Sequence, residues 1–144
     1  MKRFLTSFLL LSLFCLLNAQ ESSPEIEDGY HIFKYPNGAI SSEGYIKNGK
    51  PDGFWKSYYV TGVKKSERKR TTFLLDSIWN FFDQAGDTTE KINYLLGKKN
   101  GWYYKYRKEP SKGVYVWSKE LYAGDKKEGT AYIYFPDGKV QQTL

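Results

Sequence analysis

The sequence predicts an all-β chain: an elongated antiparallel meander of tandem β-hairpin repeats, a single-sheet solenoid preceded by a signal helix. Three observations carry that expectation. A short motif returns with a period of 24 residues. Each copy divides into an aromatic-rich half and an alternating half, with a glycine turn between them. Beyond the N-terminus, no stretch has the 3.6-residue periodicity of an amphipathic helix.

The first element is the N-terminal leader. Lys2 and Arg3 precede an apolar run from Phe4 to Leu17, broken only by Thr6, Ser7 and Ser12, and Leu17-Asn18-Ala19 places a small residue before Gln20. This is the three-part layout of a secretory signal, and its 14 apolar-run positions fall short of the ~20 that a membrane-spanning helix needs. Residues 1–19 are therefore expected to be a cleaved signal peptide and residues 20–28 a polar linker. Cys15 follows Phe14 inside the apolar run, which does not fit a lipidation site. Cleavage removes this cysteine, and with it any disulfide framework, thiolate nucleophile or cysteine metal site. It also lowers the net charge from +6 to +4 by removing Lys2 and Arg3, too mild a balance for a nucleic-acid footprint.

The repeats occupy residues 29–144, with units starting at 29, 53, 77, 101 and 129. The first three stand in strict register: Gly29-Tyr-His-Ile-Phe-Lys-Tyr-Pro-Asn-Gly38, Gly53-Phe-Trp-Lys-Ser-Tyr-Tyr-Val-Thr-Gly62 and Ser77-Ile-Trp-Asn-Phe-Phe-Asp-Gln-Ala-Gly86. The fourth begins Gly101-Trp-Tyr-Tyr-Lys-Tyr106, and the fifth comes 28 residues later, a difference assigned to a longer turn over Lys108–Gly113. The first half of each unit is rich in Tyr, Trp, Phe and Ile, which suit a pleated surface. The turns Pro36-Asn37-Gly38, Thr61-Gly62, Ala85-Gly86 and Pro136-Asp137-Gly138 end in a glycine that accepts positive φ. The second half alternates, as in Ile40–Ile46 and Thr88–Tyr94, and closes on a second glycine-containing turn such as Asn48–Gly53 or Gly97–Gly101. Two strands per unit predict nine or ten strands. Leu74–Phe82 joins them as a strand because Trp79 stands in register with Trp55.

The segment Glu43-Gly-Tyr-Ile-Lys-Asn-Gly-Lys-Pro-Asp-Gly-Phe-Trp55 resembles the MORN repeat, particularly the bacterial variant of antitoxin-like repeat proteins. The likeness extends over residues 29–144, is strongest in the first unit and weakest over Arg68–Asp76, which lacks the second glycine turn. The resemblance implies β-hairpin repeats acting as interaction surfaces without fixed catalytic residues, and lipid binding in some members.

Catalytic patterns are missing from the sequence. His31 is the one histidine, and no His-Glu-x-x-His, phosphate-cradling loop or nucleophile elbow occurs. Carboxylates are turn residues (Asp52, Asp76, Asp137) or scattered strand residues (Glu43, Glu67, Glu90, Glu120), and a repeat ladder does not require any two to converge on a bond. The expectation is a protein that is not an enzyme and uses no cofactor or metal.

Two features are candidates for a ligand or partner surface. One position after each unit start stand Tyr30, Phe54, Ile78, Trp102 and Thr130; five positions after it stand Lys34, Tyr58, Phe82, Tyr106 and Tyr134. Strand alternation puts both sets on one face. They read first as the ladder that supplies burial in a one-layer sheet, and second as stacking platforms for sugar rings or cationic head groups. The other feature is the basic cluster Lys64, Lys65, Arg68, Lys69 and Arg70, read as a solvated strand face or a contact for anionic lipid or glycan. The chain is thus expected to be an exported scaffold, in the periplasm, at the outer membrane surface or outside the cell, binding another protein. The alternative is a module that binds envelope glycan or lipid; an antitoxin or immunity-like inhibitor ranks behind both, because export removes the chain from cytoplasmic targets. Val140–Leu144 reads as an edge strand open to pairing with a partner or a second copy.

Overall fold

The computed structural model describes residues 26–144; the expected signal peptide and the first part of the linker lie outside them. The described chain is all-β. Its strands are β1 (Gly29–Lys34), β2 (Ile40–Lys47), β3 (Lys50–Tyr58), β4 (Lys64–Thr71), β5 (Leu74–Phe82), β6 (Thr88–Leu95), β7 (Lys98–Glu109), β8 (Gly113–Ala123), β9 (Lys126–Tyr134) and β10 (Val140–Thr143). They form one open antiparallel sheet in chain order, the arrangement that short links between successive strands impose. At ~4.8 Å per strand spacing the sheet extends roughly 43 Å across its strands.

At one end of the sheet four turns share one geometry. The Gly38 N–H donates to the Tyr35 carbonyl at 2.9 Å, and the Tyr35 N–H donates to the Ala39 carbonyl at 2.8 Å. The same pair of bonds recurs over Tyr59–Val63, Asp83–Asp87 and Phe135–Lys139. Gly38, Gly62, Gly86 and Gly138 hold φ between +83° and +87°, a left-handed conformation that closes a type I turn and starts a bulge. The register accordingly shifts at Phe33/Lys34, Ser57/Tyr58 and Phe81/Phe82. Tyrosine hydroxyls tie these turns together: Tyr35 donates to the Tyr58 carbonyl and Tyr59 to the Phe82 carbonyl, each at 2.8 Å.

The opposite end differs from the sequence expectation. The turns there have only two residues, Asn48-Gly49, Thr72-Phe73, Leu96-Gly97 and Gly124-Asp125, all with positive φ. This primed geometry matches the twist of the flanking strands. β3 therefore starts at Lys50 and β7 at Lys98, so Gly53 and Gly101 lie inside strands, at φ +69° and +103°. They are bulge residues: Trp55 faces Gly44 while Asp52 faces Tyr45, which leaves Gly53 and Phe54 as two extra residues on β3. In the third unit Ser77 fills this role at φ +60°.

The Arg68–Asp76 stretch turns without glycine. Thr72 and Phe73 take φ +49° and +67°, which side chains with a Cβ adopt at a cost. Neighbouring groups hold them there. Asp52 Oδ1 accepts from the Phe73 N–H at 3.1 Å, and Arg70 donates to the Phe73 carbonyl at 2.9 Å. Asp28, one period before Asp52, accepts from the Asn48 N–H at 2.6 Å in the same way.

The four extra residues of the fourth unit lengthen its strands rather than its turn. The tight turn runs from Glu109 to Gly113, and Arg107, Lys108 and Glu109 pair with Tyr115, Val114 and Gly113. β7 and β8 reach 12 and 11 residues, against 8 or 9 in strands β2–β6.

Candidate binding surfaces of the sheet

Alternation along each strand divides the side chains between two faces, and cross-strand partners share a face. The first face carries the core. Its buried apolar side chains are Ile46, Trp55, Trp79, Ile92 and Tyr122. Rings meet across and along the strands, Phe33 with Trp55 at 6.0 Å, Trp79 with Tyr94 at 5.2 Å and Tyr103 with Tyr122 at 6.2 Å between centroids. Gly44 makes room for Trp55: a Cβ there would lie 2.2 Å from the indole Cε3 and 2.7 Å from the Phe54 carbonyl oxygen. Between the two indoles, the first face of β4 is polar. Ser66 is buried and shares a 2.6 Å hydrogen bond with Ser57, while Arg68 and Arg70 lie over the Trp79 ring at 5.3 and 5.6 Å. Burial, with Arg70 beside it, depresses the Arg68 pKa, and its buried Nε has no hydrogen-bond partner among the described residues. The long stems of these arginines supply apolar cover that a second layer would otherwise give.

The second face carries the two rows singled out from the sequence, and it is not the core. Phe54 is 71% exposed, and Tyr30 and Ile78 are each 51% exposed. Tyr58, Phe82, Trp102, Tyr106 and Tyr134 are half-buried. The row that provides burial is two positions after the unit start, at Trp55, Trp79 and Tyr103. Its sequence signal was the small Gly44 across the strand from Trp55, legible only once the register is known.

A single cross-strand row runs the width of the second face: Glu43, Lys56, Glu67, Asn80, Lys91, Tyr104, Lys119 and Tyr132, each paired with the next. Its first three members alternate acid and base, and Asn80 follows them. Lys56 approaches Glu43 to 3.7 Å, and Asn80 donates to Glu67 at 3.1 Å. The hydroxyls of Tyr58 and Tyr30, followed by Lys56, hold the Glu43 carboxyl below its usual range. Burial and the 2.6 Å bond to Glu43 push Tyr58 up to about 12. Lys64 does the same for Glu67 through a 2.7 Å bond that lowers its pKa. The second half of the row alternates lysine with tyrosine and has no carboxylate.

The basic cluster is divided by this alternation. Lys69 covers Phe54 and Lys64 covers Phe82 on the second face, and Lys65 lies over Tyr59 beside the Gly62 turn. Arg68 and Arg70 project to the first face. The five cations are therefore divided between the faces, and each lies over a ring.

Two hollows among the described residues border second-face side chains. One, of about 440 Å³, is lined by Phe54, Trp55, Lys56, Glu67, Arg68, Ile78 and Asn80; on β1 and β2 the exposed Tyr30 and Tyr45 rings pair with centroids 5.2 Å apart. The other, of about 480 Å³, is lined by Tyr104, Tyr115, Val116, Lys119, Tyr134 and Pro136. Among the described residues His31 has no side-chain hydrogen-bond partner; its Nε2 lies 2.7 Å from the Glu27 carbonyl oxygen. Among the described residues, no group of three His, Cys, Asp or Glu side chains is placed to hold a metal ion. No family model matches the sequence, and neither a curated protein nor a solved structure is similar enough to match it.

Proposed function

We propose that this chain is an exported, non-enzymatic scaffold of the cell envelope, built of MORN-like hairpin repeats, that binds another protein through the second face of its sheet. The observation that carries the reading is the apolar patch formed by Tyr30, Ile32, Tyr45, Phe54 and Ile78. All five are more than half exposed, on strands whose other face already provides the burial that the fold needs. Monomeric proteins seldom leave aromatic and aliphatic side chains grouped in solvent unless something covers them. Rimming this patch with Glu43, Lys56, Glu67 and Lys69 gives an apolar centre with a charged border, the usual anatomy of a protein interface. Export rests on the N-terminal sequence, and the MORN-like reading on the repeat motif together with the hairpin meander.

Crosslinking and pull-down from source cells, with a C-terminal affinity tag, tests the proposal when wild type and Phe54→Glu are run side by side. One protein recovered in near-equal amount with wild type and lost with a folded Phe54→Glu variant is the expected result. Equal recovery with both would show that the patch is not the binding surface.

A further inference from the structure

We infer that the hollow around Lys119, at the far end of the second face from the apolar patch, is a binding site for a negatively charged sugar ring, such as a uronic acid unit of an acidic glycan. Lys119 stands on β8 between two aromatic strands. Its ammonium lies 4.8 Å from the Trp102 ring, 4.9 Å from Tyr132 and 5.7 Å from Tyr134. Among the described residues this lysine makes no salt bridge, whereas Lys56, Lys64, Lys108, Lys127 and Lys139 each have a carboxylate. Asp137, the carboxylate at the rim, is engaged: its Oδ1 accepts from the Lys139 N–H at 3.0 Å and its Oδ2 lies 3.4 Å from the Lys139 ammonium. The hollow thus has one uncompensated cation, placed among rings, with Tyr104 and Tyr134 among the residues that line it. Contact with Tyr134 keeps Lys119 more firmly protonated than usual, so the cation persists at any physiological pH.

The fold narrows the class of ligand. On a sheet face the backbone donors and acceptors are consumed by the ladder, so a peptide cannot be read there by strand addition, which needs an edge. What the face offers is flat ring surface, hydroxyls and a point charge. A pyranose ring presents apolar C–H faces to rings and hydroxyls to hydroxyls, and its carboxylate would accept a charge-assisted bond from Lys119. The 480 Å³ of the hollow is within the range of small-ligand sites.

Titration calorimetry on the full chain with tetragalacturonate, with neutral cellotetraose and with a short polyglutamate peptide tests the assignment. The expected result is binding of the uronate alone, with Lys119→Met losing about tenfold or more in affinity, the worth of one charge-assisted bond. A melting curve confirms that Lys119→Met is folded. Should it not be, the Lys119 ε-methylene resonance of the wild-type chain is followed instead and is expected to shift saturably with uronate. Equal binding of cellotetraose, preferential binding of polyglutamate, no binding of uronate, or a resonance that does not move would each overturn the site.

Discussion

The two faces of this sheet are made by the same strands and carry comparable numbers of aromatic rings, yet they solve different problems. The first face sets Trp55 over a glycine and Trp79 under two arginines, and leaves both indoles less than a tenth exposed. The second leaves Phe54 mostly in solvent even with Lys69 over its ring, and lays lysines over Phe82, Trp102, Tyr106, Tyr132 and Tyr134. A one-layer sheet has no opposing element to dry a face, so burial must come from neighbours within the layer. Around Trp55 and Trp79 a glycine and two arginine stems provide that cover, and both indoles become core. The pleat itself thereby separates the buried rings from the exposed ones.

The sharpest way to break the comparison is at Gly44. Replacing it with Val drives side-chain atoms into Trp55 and the Phe54 carbonyl, and both belong to the core bulge. A loss of about 3 kcal/mol or more in urea denaturation is expected, enough to leave the chain unfolded if its stability is ordinary. A smaller effect is expected at the glycine-free turn. Thr72 is β-branched and sits at φ +49°, so Thr72→Asn should stabilise the fold by about 1 kcal/mol, seen as a higher melting temperature.

The smallest effects concern pH. Tyr58 titrates near 12 in the folded chain against 10.0 when unperturbed, so its contribution is complete below pH 10 and is lost as pH rises towards 12. Glu43 behaves in the opposite sense. Its pKa is lowered from 4.5, so its contribution is present above that value and disappears as pH falls through the depressed one. Tyr58→Phe should therefore flatten the alkaline limb of a stability-against-pH curve, and also shrink the acid limb by removing a donor to Glu43. Measured against wild type between pH 3 and 5 and between pH 10 and 12, both limbs should be shallower.

Much of this architecture is legible in the sequence. The 24-residue period places the first four hairpins, the Pro136-Asp137-Gly138 turn marks the fifth, and the register of Trp79 with Trp55 correctly assigns Leu74–Phe82 to a strand. The glycines at 38, 62, 86 and 138 announce turns of one type, because few other residues accept that φ without strain. Less is legible where several residues satisfy one backbone need. Ser77 replaces a bulge glycine, and Thr72-Phe73, held by Asp52 and Arg70, replaces a primed-turn pair, so composition alone could not reveal them. The extra residues of the fourth unit looked like a longer turn because Pro110 and Gly113 flank it, whereas they extend two strands. Period-two alternation shows that the faces differ but not which is dry, since both are aromatic. That distinction depends on cross-strand partners such as Gly44 with Trp55, which require the register. The basic cluster is divided for a related reason: five cations close in sequence are parted by the pleat.

The division of labour between the faces is tested most directly by matched pairs of substitutions compared in urea. One chain carries Phe54→Ser with Ile78→Ser on the second face; the other carries Trp55→Ser with Trp79→Ser on the first. The second-face pair is expected to stay within about 1 kcal/mol of wild type, since both side chains are more than half exposed. The first-face pair should unfold the chain, each buried indole being worth about 3–5 kcal/mol. Equal losses from both pairs, or unfolding by the second-face pair alone, would contradict the account.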